Sequence, residues 1–370
     1  MRWDDFDPLS FGIDEFVAFC REVGAEPQIV VPIGYHNYDG YVPDRNGKED
    51  WLERALNWIE YCNGDTTTVW GRKRAENGHA APYDITYWEI DNEVWKMDPV
   101  LYAELVRMYS LAMKKKDPRI KIIACGCGRL GREGVGLDSI VIHRAGAYVD
   151  YISPHYYQVR DKFGNDGVEE YGAYLDRLAG WIKQSVNPDM KIYVSEWNLE
   201  GIDMRTGLFA GGFLNRLERT PYVEMAAAAL LLRHVSATGW NNAFINFDQN
   251  KWFPAPNYVV FQLWNDAFLP YRVSLRGDMG PLNAVATVSE EQKMVCLKIV
   301  NPTDEMIRIK LADWEKWRNC EWKMVKTPSL DRVNSMDAPY KIKVETQEVG
   351  QSQTVFSIPP YSASVLMFNK

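Results

Sequence analysis

Ile85-Thr-Tyr-Trp-Glu-Ile-Asp-Asn-Glu93 begins as a short β-branched and aromatic run and ends on three polar residues, two of them carboxylates. Such a run predicts a buried strand over 85–90 that delivers Asp91, Asn92 and Glu93 to the loop beyond it. Tyr193-Val-Ser-Glu-Trp-Asn198 repeats the pattern, with Glu196 at the strand end. Strands are also expected at 27–34, 121–125, 151–155 and 243–247, six in all. Between them, Asp50 caps one amphipathic helix, and Asp98-Pro99 supplies an N-cap and an N1 proline to another. Apolar residues up to Val23 stop at Gly24, and further helices are expected near Leu175 and, opened by Thr220-Pro221, near Ala227. Strand and helix in alternation give a parallel sheet covered by helices, as a doubly wound sheet or a (β/α) barrel. Paired carboxylates at strand C-termini suit the barrel, whose active sites are built at that end.

After about residue 270 the pattern changes. Val295, Leu297 and Ile299 alternate with polar residues, as do Ile307, Ile309 and Leu311, and a turn at Asn301-Pro-Thr-Asp304 lies between them. This is period-two antiparallel strand, so residues 1–270 are read as the (β/α) barrel domain and 271–370 as a C-terminal β-sandwich.

Lys and Arg total 42 against 50 Asp and Glu, a net charge of −8, which leaves no basic surface for a nucleic-acid backbone. No apolar stretch approaches membrane-spanning length, and no leader precedes Met-Arg-Trp-Asp-Asp, so a cytoplasmic protein is expected. Six cysteines form no CxxC and read as buried thiols. Fourteen Trp and 20 Tyr are the kind of surface that stacks on sugar rings, and two of the five strand-end tryptophans (Trp88, Trp95, Trp197, Trp240, Trp252) are expected to face a cleft. Gly126-Cys-Gly-Arg-Leu-Gly131 has GxGxxG spacing, but a further loop follows it where a dinucleotide site needs a helix, so it is read as a barrel loop. Asp161 to Gly167 lacks the twelfth-position Glu of a calcium loop and is read as a turn.

Two carboxyl groups at strand ends are what glycoside hydrolysis requires: one protonates the departing oxygen, the other attacks the anomeric carbon or activates water. Trp88-Glu-Ile-Asp-Asn-Glu93, Trp58-Ile-Glu-Tyr-Cys-Asn-Gly64, Ser153-Pro-His-Tyr-Tyr157 and Ser195-Glu-Trp-Asn198 together resemble glycoside hydrolase family 51, the α-L-arabinofuranosidase family among the retaining (β/α)8 hydrolases. The resemblance extends from Phe11-Gly-Ile-Asp-Glu-Phe16 to Pro360-Tyr-Ser-Ala-Ser-Val-Leu366, and its Glu60-Tyr-Cys-Asn63 run is the narrowest signature. It implies Glu93 as general acid/base and Glu196 as nucleophile, with carboxyls about 5–5.5 Å apart as retention demands. Asn92 would bind the hydroxyl beside the reacting carbon, Tyr157 would orient Glu196, and His155 would line the same floor. Trp197, Asn198 and Trp252 complete the expected substrate-binding set, with no metal and no cofactor.

Two departures accompany the resemblance. Asp91 stands where the family usually has glycine, so its carboxylate either raises the acid's pKa or turns away into a salt bridge. The first two barrel strands have no counterpart, leaving a (β/α)8 TIM-type barrel of about six units. Its open edges at 28–33 and 243–247 are expected to be covered by self-association, by pairing with each other, or by a companion chain. The expected function is retaining hydrolysis of plant cell-wall polysaccharide or oligosaccharide by an α-L-arabinofuranosidase. A β-glucanase, glucosidase or xylosidase of the same clan is the alternative, as is a non-catalytic carbohydrate-binding remnant.

Overall fold

The computed structural model describes residues 9–37, 40–42, 50–127, 134–312, 317–350 and 353–370. The chain divides into two compact units, one of residues 1–155 and 177–195, the other of residues 156–176 and 196–370.

The first unit is built on parallel strands in the order Gln28–Val31, Tyr87–Ile90, Lys121–Cys125, Tyr151–Ser153 and the start of Lys191–Leu199. Val31, Ile90, Ile122, Ile123 and Ile152 are fully enclosed, the two-sided burial that parallel strands require. The helices form where their caps predict: Asp50 accepts from the Glu53 N–H at 2.9 Å and Asp98 from the Leu101 N–H at 2.8 Å. The Glu60-Tyr-Cys-Asn63 run lies on the helix Trp51–Asn63 and is structural. Asn63 donates to the Ile85 carbonyl (2.9 Å) and accepts from its N–H (2.7 Å), fixing that helix to the strand that carries Glu93. Glu60 accepts from the Trp70 N–H and pairs with Lys116.

In the second unit the helix expected near Ala227 is absent. Val223–Ala228 is a strand paired beside Lys191–Leu199, and the helix precedes it at Met204–Arg219. Local alanine content favoured a helix, but strand pairing overrides so weak a preference. The true helix is masked in sequence by its glycines. Gly211 is there for packing, since a Cβ would stand 2.8 Å from Val300 and 3.2 Å from Val260 of the helix Pro256–Asp266. The second expected barrel edge moves accordingly. Ile245–Phe247 lies inside a separate three-stranded sheet, paired on both sides by Leu232–His234 and Trp252–Pro254.

The C-terminal strands form a six-stranded antiparallel sheet facing a two-stranded one, Ile307–Lys310 with Val355–Ile358. Leu297, Ile299, Trp322, Leu366 and Phe368 meet Phe356 and Ile358 across the gap. The alternate face of Met294–Asn301, expected to be polar, is also buried. Cys296 and Val300 pack with Leu208, Val260 and Trp264 from the two helices, and Lys298 lies among them, only 1 % exposed, paired with Glu218 at 2.5 Å. Removing the ammonium strands a part-buried carboxylate, so Lys298→Ala is expected to cost about 3 kcal/mol in urea unfolding, and Lys298→Ala/Glu218→Gln distinctly less. Equal losses would mean the pair contributes packing alone.

Candidate active site

The strand Tyr87–Ile90 ends in a turn of unusual backbone: Asp91 and Glu93 both have positive φ, 59° and 53°. The left-handed region is reached most readily by glycine, asparagine and aspartate. Asp91 therefore occupies the family's glycine position at modest strain, and its side chain has taken on a task. Its N–H donates to the Val31 carbonyl at 2.8 Å, and its carboxylate accepts from the Ile33 N–H at 3.1 Å and from the Asn92 N–H at 2.7 Å. The carboxylate thus extends the pairing with the neighbouring strand beyond its last residue. Asp91→Gly is expected to lower stability by about 1–3 kcal/mol, through the unpaired Ile33 N–H, and to leave the shape of the pH–activity profile unchanged. A profile displaced toward acid would show that Asp91 acts on Glu93 electrostatically.

Below this turn Glu89 is buried, accepting from Gln28 and from the Ser153 hydroxyl. Strand alternation places Glu89 opposite Trp88, which is fully enclosed with its indole N–H on the Ile85 carbonyl. Nothing in the sequence marks this buried polar set, because nothing local separates Glu89 from an exposed strand residue.

Glu93 is held from two sides. Its N–H points at Cys125 Sγ, 3.2 Å away, and its Oε1 lies 3.0 Å from His155 Nδ1. Burial pushes the Cys125 thiol well up, so it stays protonated and donates to the Gly126 carbonyl. His155 is 3 % exposed and meets the edge of Trp95, whose indole N–H donates to the Gly126 carbonyl. The ring is therefore fixed, and it fixes the Glu93 carboxyl. The Asn92 side-chain amide has no partner among the described residues, as a ligand-binding group would. Gly126 serves close packing, since a Cβ would meet Asp138 Oδ1 at 3.0 Å and the Pro154 nitrogen at 3.1 Å. Asp138 Oδ1 accepts the Cys127 N–H at 2.9 Å. Residues 128–131 of the GxGxxG segment lie outside the described residues.

In the second unit Glu196 stands on the strand Lys191–Leu199, and Tyr157 Oη donates to its Oε2 at 2.6 Å. A short phenol-to-carboxylate bond fixes the direction of the carboxylate, which a nucleophile needs. The Tyr157 ring is braced edge-on by Trp240, 5.3 Å away, which is 43 % exposed and has a φ of 54°. Two of the expected substrate contacts turn inward instead. Trp197 is fully enclosed against Phe213, Phe244 and Phe261 and offers no face to a sugar. Asn198 is a buried clamp: it donates to the carbonyls of Ala229 and Asn242 and accepts from Asn257. Trp252 is half exposed beside Tyr340. Of the five strand-end tryptophans, Trp88 and Trp197 are core, while Trp240 and Trp252 are the exposed ones. The segment from Asp161 is a turn that leads into the helix Asn165–Gln184.

Residues 1–176 match the family model described as alpha-L-arabinofuranosidase 1 domain, and residues 170–362 match the alpha-L-arabinofuranosidase C-terminal domain. A probable alpha-L-arabinofuranosidase C of Aspergillus fumigatus is 33% identical over 132 residues, 34% of this chain and 23% of that protein. An extracellular exo-alpha-L-arabinofuranosidase of Streptomyces chartreusis is 25% identical over 299 residues, 78% of this chain and 34% of that one. The chain thus spans about a quarter to a third of these relatives' length. Among solved structures, the alpha-L-arabinofuranosidase of Thermotoga maritima in its arabinose complex superposes with a TM-score of 0.82 at 25% identity, covering 100% of this chain and 80% of that one. The thermostable GH51 enzyme of Thermotoga petrophila gives 0.80 at 26%, covering 96% and 78%. These neighbours carry the expected fold class, an α/β barrel followed by a C-terminal β-domain. The chain belongs to glycoside hydrolase family 51, the α-L-arabinofuranosidase family.

Proposed function

We propose that the protein is a retaining α-L-arabinofuranosidase acting on plant cell-wall polysaccharide or its oligosaccharides. Glu196 attacks the anomeric carbon and expels the leaving group while Glu93 supplies the proton; Glu93 then takes a proton from the water that cleaves the glycosyl ester. The observation that carries the reading is the 2.6 Å bond from Tyr157 to Glu196, which gives a carboxylate within the strand Lys191–Leu199 a fixed direction for nucleophilic work. His155 gives Glu93 a fixed direction for proton transfer, and Asn92 is assigned to the neighbouring sugar hydroxyl. Trp252 is kept as an outer contact, with Trp240 added to the set.

Hydrolysis of nitrophenyl α-L-arabinofuranoside, with proton NMR of the first-formed product, tests this. Initial release of α-arabinofuranose supports it, and initial β-product would mean inversion. Faster turnover of the β-D-xyloside or β-D-glucoside would favour the clan's other activities. Binding without turnover of any substrate would favour a non-catalytic barrel.

Among the described residues the strand Gln28–Val31 pairs on one side only, with Tyr87–Ile90, and Val30 is 40% exposed. Such edges recruit partners, and self-association is the proposed cover. Light scattering behind size exclusion should give a mass of at least twice 42.6 kDa, and a stable monomer would refute it. No described helix is long and apolar enough to cross a membrane. Cys20, Cys62, Cys125 and Cys296 remain buried thiols, which supports a reducing, cytoplasmic setting. Recovery of the protein from culture medium of its source would overturn that placement.

A further inference from the structure

The second unit has a cavity of about 720 Å³ that shares no lining residue with the candidate active site. That volume lies within the range of small-ligand sites. Its lining combines two chemistries. Pro359, Pro360 and Tyr361 bring rigid apolar surface, and the Tyr361 ring is braced from behind by the core cluster that contains Ile342 and Ala363. Lys326, Arg332 and Lys341 bring three cations against the two carboxylates of Asp304 and Glu345.

The charges are not spent on each other. Lys326 reaches Glu345 at 3.6 Å, whereas Arg332 and Lys341 have no ion-pair partner among the described residues. In a chain of net charge −8, two unengaged cations at one concavity mark a place suited to an anion. Tyr361 adds a second, independent observation. Its φ is 43°, a conformation costly for an aromatic residue, and its N–H is tied to the Thr303 carbonyl at 3.0 Å. Non-glycine residues held in that region gather where a side chain must be presented to a ligand.

We infer that this cavity binds an acidic sugar, a pyranose ring bearing a carboxylate. The apolar face of the ring lies on Tyr361 and the prolines, and the carboxylate is taken by Arg332, whose fork matches it, with Lys341 beside it. Inorganic phosphate would use the cations and leave the aromatic surface idle. A neutral sugar would use the ring and leave the cations idle. The inference goes beyond the proposed hydrolysis and does not depend on turnover at Glu196.

Calorimetric titration of the full chain with trigalacturonic acid tests it, with maltotriose and inorganic phosphate as comparison probes. Saturable binding of the uronate is expected, with both comparison probes at least about tenfold weaker. Arg332→Ala/Lys341→Ala should weaken uronate binding about tenfold or more, as should raising the salt to 0.5 M, because exposed charges are screened. Tyr361→Leu should weaken it too while keeping the contact with the core. All variants should hydrolyse nitrophenyl arabinofuranoside at the parent rate. No uronate binding would overturn the inference, as would equal binding of maltotriose or phosphate. So would uronate binding that these variants leave untouched, or that arabinose displaces.

Discussion

Glu196→Ala is expected to lower kcat/KM on nitrophenyl α-L-arabinofuranoside by on the order of 10⁴ or more, the scale on which removing a catalytic nucleophile acts. Folding should survive. Glu196 accepts from Tyr157 Oη, and leaving that donor unpaired costs roughly 1–3 kcal/mol. Tyr157→Phe separates orientation from attack. The carboxylate remains but loses the donor that holds its direction, so activity should fall by about one to two orders of magnitude. An activated 2-fluoro arabinosyl substrate should trap the ester, and peptide mass mapping should place the label on Glu196. A label on Glu93 would exchange the two roles. Full activity in Glu196→Ala would remove this carboxylate from the mechanism.

The elements legible in the sequence share one property: their signal is local. The strand 85–90, the caps Asp50 and Asp98, and the sandwich strands each follow from a short pattern that carries its own physical reason. What escaped was set by partners remote in sequence. Val223–Ala228 reads as helix by composition and becomes strand because Lys191–Leu199 lies beside it. Lys298 has the alternation of an outward residue, yet two helices cover that face and Glu218 meets it there. The same division runs through the site. Glu93 and Glu196 announce themselves as carboxylates at strand ends. The neighbours of Glu196 do not: Asn198 and Trp197 look like ligand contacts by adjacency, but a strand turns successive side chains to opposite faces, and here both are enclosed. Asp91 shows the reverse case. A departure that suggested tuning of the acid is explained by a positive φ and two backbone N–H groups in need of an acceptor.

Glu93→Ala should produce a loss that depends on the leaving group, which distinguishes an acid from a group that merely binds. Natural arabinosides depart as alkoxides unless protonated, so kcat/KM on an arabino-oligosaccharide should fall by about 10²–10⁴, the usual worth of a positioned acid. Nitrophenolate departs without help, and on that substrate the first step should slow by less than about tenfold. The second step still needs a base to take the proton from water, so the glycosyl ester on Glu196 should accumulate. It would appear as a burst of nitrophenol followed by a slow steady state with a lowered KM. Azide attacks without deprotonation and should restore the steady-state rate, giving an arabinosyl azide of retained configuration. His155→Ala should show a weaker form of the same pattern, because His155 acts on the acid directly: Nδ1 lies 3.0 Å from Glu93 Oε1, and the ring is walled by Trp95. Equal losses on both substrates in Glu93→Ala, with neither burst nor azide rescue, would mean that Glu93 does not transfer the proton.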